Sequence, residues 1–497
     1  MLQELDCAGG VSLRQLLPPS RIFGAQDIRA LSCCGDARRC RPGDVFVAFD
    51  DGEQDGHETY AIALEHGASA VIAERVLPVR VPVCVVPNSH EAYGELCQAL
   101  AGNPADSMTL VGVTGTNGKT TTSMLIAGIL KAAKQRTGFL NSIGRSDASE
   151  TKPASRTTPA PPELATWLAR MASNGCSHAV AELSSQGLVQ RRTAGLQFDA
   201  AVLTNLRRDH IDYHGSVLNY RNAKARLFQQ LKPHGFAVIN ADDQASQFIL
   251  RKLDCPVITV GQREPAEITA TVIEQFKSEQ TFLLHAGNES VPVCTQIIGR
   301  HHIANCLSAA VVGLVMGIDL MTIVKGLESV GHISGRMERI ECGQEFGVFV
   351  DMADNPDRLA VALKELRRVT TGRVLCVFGH SESRPVEDRP MLGRVIERAA
   401  DLGVLTGGHA PPAQPLQQIH DMLDGYDRVA RAHVIPGRAN AIAWALEQAR
   451  PGDSVLIAGE GRRGFGREET ISGKDDYDLA REWLYQTAQE SQVLAFN

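Results

Sequence analysis

The segment Gly112-Val-Thr-Gly115-Thr116-Asn117-Gly118-Lys119-Thr120-Thr121 has the residue types of a phosphate-binding loop. Its spacing, Gly-x-x-Gly-x-x-Gly-Lys-Thr, is one residue longer than the common form. Glycines let the backbone come close to phosphate oxygens, and amides at a helix start present partial positive charge. In such a loop Lys119 neutralises β- and γ-phosphate charge, and the Thr120 hydroxyl ligates Mg²⁺. The bland alternative is a Gly-rich turn with no ligand; a strand before it and a helix after it argue against that. Motors, GTPases, kinases and ligases all use such loops, so other residues must choose among them.

Two further groups lie downstream, Glu182 in Ala181-Glu182-Leu183-Ser184-Ser185 and His210 in Arg208-Asp209-His210-Ile211-Asp212. Each is read as ending a strand on the loop's side of a sheet. A carboxylate and an imidazole there suit a second hard metal ion that bridges the γ-phosphate to a substrate oxygen. Taken singly, Glu182 could pair with an arginine, and His210 could cap a helix or sit in a core.

The elements that must position these groups can be read from apolar patterning. A strand is expected at Thr109–Val113 and a helix from about Lys119 to Lys134, with later strands at His178–Ala181, Ala200–Leu203 and Ala237–Asn240. Alternation of strands and helices implies a mostly parallel sheet, whose ligands gather at the strands' carboxyl ends. A smaller α/β block precedes it, with strands at Asp44–Ala48, Ala68–Ala73 and Val81–Val86 and a helix at Glu58–Gly67. A third block, doubly wound, has strands at Gly347–Val350, Val374–Phe378, Leu402–Leu405 and Ser454–Ala458. The expected domains are 1–106, 107–334 and 335–497.

Length agrees with this division, since 497 residues suggest about three domains. With 43% apolar and 22% charged residues, the chain is not disordered, collagen-like or coiled-coil. Acids outnumber bases by 57 to 50, which gives no support to a nucleic-acid or anionic-membrane binder. The apolar run Ile303–Ile318 is shorter than the ~20 residues of a membrane span and reads as a buried helix. Residues 1–18 do not read as a secretory signal, and the 12 cysteines show no framework spacing and no Cys-x-x-Cys. A cytoplasmic protein with free thiols is expected.

Together the long phosphate loop, Glu182, His210 and the segment Tyr220-Arg-Asn-Ala-Lys224-Ala-Arg-Leu-Phe228 resemble the Mur ligases, and within them the MurE group. Asp36-Ala37-Arg38, Pro42–Ala48, Asp55-Gly56-His57 and Gly67–Glu74 extend the resemblance into the first domain, and Ser334-Gly335-Arg336-Met337-Glu338-Arg339 into the third. It implies a three-domain fold whose parts bind a UDP-sugar, bind ATP and deliver an amino acid. It implies ATP-dependent addition of an amino acid, diaminopimelate by family default, to UDP-N-acetylmuramoyl-L-alanyl-D-glutamate in peptidoglycan precursor synthesis. ATP phosphorylates the free carboxyl, and the amine attacks the acyl phosphate.

By the same resemblance Lys224 is carbamylated by CO₂ and helps hold Mg²⁺ with Thr120, Glu182 and His210; without it, Lys224 reads as a solvated helix lysine. ATP contacts are implied for Gly115, Thr116, Asn117, Gly118, Lys119, Thr120, Thr121, Asn305, Arg336 and Asp351. Contacts to the UDP-sugar peptide are implied for Thr157, Thr158, Ser184, Gln190 and Arg192. A monomer is expected, with no nucleic-acid or membrane partner.

The third domain departs from the family pattern. Met352 and Asp354 replace a Tyr and a His, the diaminopimelate motif Asp-Asn-Pro-Arg is missing around Gly408–Pro411, and Arg463 stands where the family has an acid. An acid there would meet a distal ammonium, whereas Arg463 would repel it. Arg384, Gly459 and Arg463 are the amino-acid contacts to expect, and with Arg462 they suit a distal carboxylate, unless the arginines are solvated surface groups. Two readings follow: a working ligase, or a non-catalytic paralogue that binds ATP or the UDP-sugar peptide. A folyl-polyglutamate-type ligase is a weaker third, opposed by the first-domain match and Thr157-Thr158-Pro159.

Overall fold

The structure is a computed structural model; it describes residues 9–50, 52, 54–379, 386–407, 415–461 and 474–495. The chain divides into two compact units, Met1–Ser123 with Ala133–Ile258 and Met124–Ala132 with Thr259–Asn497.

In the first unit, short apolar strands β1 (Val45–Val47), β2 (Ala70–Ala73) and β3 (Val83–Val85) pair in parallel, β1 with β2 and β2 with β3. Helix α1 (Gly56–Glu65) joins β1 to β2, and α2 (Ser89–Leu100) follows β3. The Asn88 side chain starts α2 by accepting from the Glu91 amide at 2.8 Å.

A second sheet is built on β4 (Thr109–Thr114), after which α3 (Lys119–Ala132) begins. Strands β5 (Thr137–Leu140), β6 (His178–Glu182), β7 (Phe198–Leu203) and β8 (Leu231–Asn240) flank it in the order β5-β6-β4-β7-β8, these five all parallel within a larger mixed sheet. Helices α4 (Pro161–Ser173), α5 (Ser185–Val189) and α6 (Val217–Gln229) lie among the connections. Pro161 opens α4, where a helix has no use for that amide, and Ser216 caps α6 through the Asn219 amide. Because β4 lies between β6 and β7, the chain reverses its direction of travel across the sheet at β4's carboxyl end. Such a switch point opens a crevice.

In the second unit, β9 (Ile268–Gln275), β10 (Gln280–Ala286) and β11 (Glu289–Thr295) form an antiparallel meander absent from the expected strands. Polar residues are interleaved with the apolar ones along all three strands, so no continuous apolar run marks them. The run expected as a buried helix is α7 (Arg300–Val315), followed by α8 (Leu320–Glu328). The third block has parallel strands β12 (Gly347–Asp351), β13 (Val374–Gly379), β14 (Leu402–Thr406) and β15 (Ser454–Ala458) in the order β12-β15-β13-β14, with helix α9 (Pro356–Val369) after β12 and α10 (Arg438–Gln448) before β15. Both faces of this sheet are covered, by one apolar cluster around Phe349, Leu363 and Phe378 and another around Val377, Ile442 and Leu484. No helix among the described residues is long and apolar enough to cross a membrane.

Residues 259–334 fall in one compact unit with residues 335–497 and residues 124–132 of α3. Within this unit α8 lies close against α3. A Cβ on Gly326 of α8 would lie 2.4 Å from the Ile129 Cα. Gly326→Ala is therefore expected to destabilise this unit by about 2 kcal/mol or more, read as a lower midpoint in chemical denaturation. Gly317→Ala, where a Cβ meets open space but φ is +77°, should cost less, about 1 kcal/mol.

Candidate active site

The phosphate loop leaves β4 at Gly115, whose φ is +142°. A Cβ there would stand 1.9 Å from the Thr204 Oγ1, so only glycine passes. The loop is fastened from β7's carboxyl end. The Thr116 amide donates to the Asn205 carbonyl at 3.0 Å and the Asn117 amide to the Asn205 side chain at 3.0 Å, while Thr204 Oγ1 and Asn205 Nδ2 donate to the Asn117 carbonyl at 2.5 and 3.0 Å. The Thr116 hydroxyl is 2.8 Å from the Tyr220 hydroxyl on α6 and accepts from the Arg207 amide at 2.8 Å. These contacts hold the loop's shape, and α3 begins at Lys119, as the spacing implied. The Lys119 Nζ turns back to the Thr116 carbonyl at 3.0 Å.

Glu182 ends β6 beside the loop and is 2% exposed. Its carboxylate accepts from Thr120 Oγ1, the Ser142 amide and Ser142 Oγ, each at 2.9 Å. All three donors are neutral, and among the described residues no arginine, lysine or histidine pairs with Glu182, so the expected alternative of an arginine partner does not arise. A buried carboxylate without a cation is costly. Together with the Thr120 hydroxyl it is an oxygen set that fits Mg²⁺.

His210 lies seven residues beyond the end of β7 instead of ending it, which corrects the expectation from sequence. It precedes a four-residue helix, Ile211–His214, at the N-cap position with φ +50°, and its side chain makes no cap hydrogen bond. Its Nε2 is 3.7 Å from the Asp209 carboxylate. Lys224 is not solvated; it is 1% exposed on α6, with Nζ donating to the Gly115 carbonyl at 2.7 Å and lying 4.7 Å from the Tyr220 ring centre. His210 and Lys224 meet around His214. Burial, then the charges of His210 and Lys224, hold the His214 imidazole down to about 4. Neutral His214 pairs with the Ser185 hydroxyl at 2.9 Å.

The residues expected to meet the UDP-sugar peptide form one connected group. The Thr157 hydroxyl is 3.1 Å from Ser142 Oγ, and Thr158 Oγ1 donates to the Glu182 carbonyl at 3.1 Å. The Ser184 amide donates to Thr158 Oγ1 at 2.9 Å. Arg192 reaches the Thr158 carbonyl at 2.6 Å and the Gln190 side chain at 2.7 Å, and burial lowers its guanidinium to about 10. Ser142, Thr204 and Tyr220 are functional neighbours that sequence reading did not single out. Thr204 and Ser142 directly follow or closely trail apolar strands, which is the available signal.

In the second unit, Asn305 sits on α7, 4% exposed, with its Nδ2 lacking any hydrogen bond, and both ring nitrogens of neighbouring His302 also lack one. Asp351 ends β12 and accepts from the Met337 amide at 2.7 Å. Burial lowers the His302 pKa well below the usual range and raises that of Asp351, and the Arg336 charge acts on both. Arg336, Asp351 and the buried edge of α7 are therefore neighbours. Gly459 follows β15 with φ +104°, and a Cβ there would lie 2.1 Å from the Gly379 carbonyl. Arg384, Arg462, Arg463 and Gly408–Pro411 lie outside the described residues.

The His214 pKa has a sign that can be measured. The unfolded imidazole takes up a proton near 6.5, whereas the folded one does so only near 4. The unfolded state thus binds more protons in that window, and stability falls as pH drops through it. Denaturation midpoints taken from pH 7.5 to 4.5 should decline less in His214→Gln than in the unaltered protein.

Comparison with known proteins agrees with this geometry. Residues 113–313 match the Mur ligase middle domain, and residues 335–461 match the Mur ligase, glutamate ligase domain. The UDP-N-acetylmuramoyl-L-alanyl-D-glutamate--2,6-diaminopimelate ligase of Geobacillus thermodenitrificans is 37% identical over 92% of this chain and 94% of its own. The protein of the same name from Chlorobaculum tepidum is 37% identical, over 92% of each chain. A solved structure of such a ligase superposes with a TM-score of 0.69 at 29% identity, covering 97% of this chain and 99% of that one. MurF from Thermotoga maritima, solved with ADP, shares the fold at 19% identity and a TM-score of 0.62. With relatives this similar along nine-tenths of its length, the chain belongs to the Mur ligase family.

Proposed function

We propose that this chain is an ATP-dependent carbon–nitrogen ligase that joins 2,6-diaminopimelate to UDP-N-acetylmuramoyl-L-alanyl-D-glutamate, in the synthesis of peptidoglycan precursors. The observation that carries the reading is the buried group of Thr120, Glu182 and Lys224 around a fastened phosphate loop. Relatives that match over nine-tenths of the chain are named as ligases, which supports catalysis over binding alone.

A carboxylate is a poor electrophile, so its oxygen first attacks the γ-phosphorus of ATP, the bond to ADP breaks, and an acyl phosphate forms. The acceptor amine then attacks the acyl carbon, loses a proton, and phosphate leaves. The loop amides and Lys119 hold the phosphates in line, which is alignment and charge neutralisation. Thr157, Thr158, Ser184, Gln190 and Arg192 orient the dipeptide end of the nucleotide sugar. Thr120, Glu182 and His210 would hold Mg²⁺, which when bound spreads the charge that develops on the phosphoryl oxygens. Lys224 would carry a carbamate, formed when its neutral amine attacks CO₂ and gives a proton to solvent, adding an anion on the metal's side of the loop.

Asn305, Arg336 and Asp351 would contact ATP; the unsatisfied Asn305 Nδ2 and His302 nitrogens are suited to a base edge. The three roles would fall to functional domains at 1–106, 107–334 and 335–497. Diaminopimelate has both a distal ammonium and a distal carboxylate, and Arg384 and Arg463, with Gly459, suit the latter. The protein would act as a cytoplasmic monomer.

The test is phosphate release from ATP with UDP-N-acetylmuramoyl-L-alanyl-D-glutamate and a panel of amino acids. Diaminopimelate should give the fastest acceptor-dependent release. No release with any acceptor would overturn the ligase reading, and a preference for lysine would overturn the role of the arginines. Glu182→Gln should lower kcat by on the order of 10²-fold or more with the ATP KM little changed. Native mass spectrometry in bicarbonate should show one added CO₂ that Lys224→Gln lacks.

A further inference from the structure

The first domain holds a cluster of ligand atoms that the reaction does not use. The Sγ atoms of Cys34 and Cys40 and a carboxylate oxygen of Asp44 all lie within 4.8 Å of one another. In a tetrahedral zinc site with sulfurs near 2.3 Å and oxygen near 2.0 Å, ligand atoms stand about 3.5–3.8 Å apart. Closing the cluster on an ion therefore needs side-chain adjustments of about 1 Å or less.

The surroundings point to a cation. Asp44 is 7% exposed. Its oxygens accept from the Ser32 hydroxyl and from the Arg41 amide at 2.8 Å, and among the described residues it makes no ion pair. A carboxylate buried with only neutral donors is an unbalanced charge. The segment that carries the three groups is pinned at both ends, because Cys34 pairs with Phe46 in parallel strand register. Between them the Asp36 side chain caps the short turn Ala37–Arg39, so little order remains to be gained on binding. Cys40 is buried and Cys34 half-exposed, so the cluster meets solvent on the Cys34 side. Cys33 makes a separate contact, with its Sγ 3.7 Å from that of Cys97.

We propose that Cys34, Cys40 and Asp44 bind one thiophilic divalent cation of the zinc class, with water as fourth ligand, bracing the 34–44 segment of the first domain. Each sulfur–metal bond forms as its thiol gives a proton to solvent, so binding releases two protons.

Co²⁺ is the probe, titrated into the reduced full-length protein with excess Mg²⁺ filling oxygen-rich sites. One equivalent should give sulfur-to-cobalt charge-transfer absorption and the intense visible bands of tetrahedral cobalt. Zn²⁺ should bleach them and raise the thermal midpoint. Cys34→Ser and Cys40→Ser should abolish both effects, and Cys33→Ser should leave them intact. Cys34 is half-exposed, so its variant tests the site even if replacement of buried Cys40 impairs folding. Absence of a thiolate band, or a band that persists in Cys34→Ser, overturns the proposal. So does a Cys34–Cys40 disulfide in peptide maps of the unreduced protein with no cobalt uptake after reduction, which would make the pair a redox element.

Discussion

The chemistry depends on one steric constraint, the passage of the Gly115 backbone against Thr204. At that point the chain turns out of β4 with a φ closed to other residues and with no space for a Cβ. Thr204 and Asn205 can therefore reach across and hold Asn117, and Lys224 can approach from α6 to hydrogen-bond the Gly115 carbonyl. A loop fixed from two neighbouring elements presents its amides without having to order itself around a ligand, so little binding energy is spent on that.

Burial of charge is the second theme. Glu182 and Lys224 are almost wholly removed from water; Glu182 accepts from neutral donors, and Lys224 donates to the Gly115 carbonyl. A carboxylate buried among neutral donors opposes folding and is kept where it serves binding or chemistry. Neutral His214 belongs to the same logic, since burial first, and then the neighbouring His210 and Lys224, disfavour its charged form. The net charge of −7 says nothing about this site, because local amides and a few placed cations, not the overall field, meet a polyanion.

Much of this was legible in sequence, for identifiable reasons. The phosphate loop lies in one contiguous stretch, so its spacing displays its function directly, and the parallel strands around it are buried on both faces and read as apolar runs. Glu182 was placed correctly at the end of β6 because strand ends are marked by the first polar residue. His210 does not end β7 as its sequence suggests, because residues 204–210 are polar apart from Leu206 and contain no periodic signal, so nothing shows where that connection bends. The meander of β9 to β11 escaped because polar residues interrupt the apolar ones along each strand.

By itself the sequence determined the alternation of elements, the glycines at which the chain must turn, and the family to which its motifs point. Those properties depend on neighbours a few residues apart, where period and spacing act directly. Only the tertiary structure decided that Lys224 is buried under Gly115, 109 residues away, and not waving in solvent on a polar helix. It also decided that Thr120 and Ser142 share the Glu182 carboxylate, and that Cys34, Cys40 and Asp44 converge. Burial is a property of what packs on top of a residue, and the packing partners come from distant parts of the chain that local pattern cannot bring together.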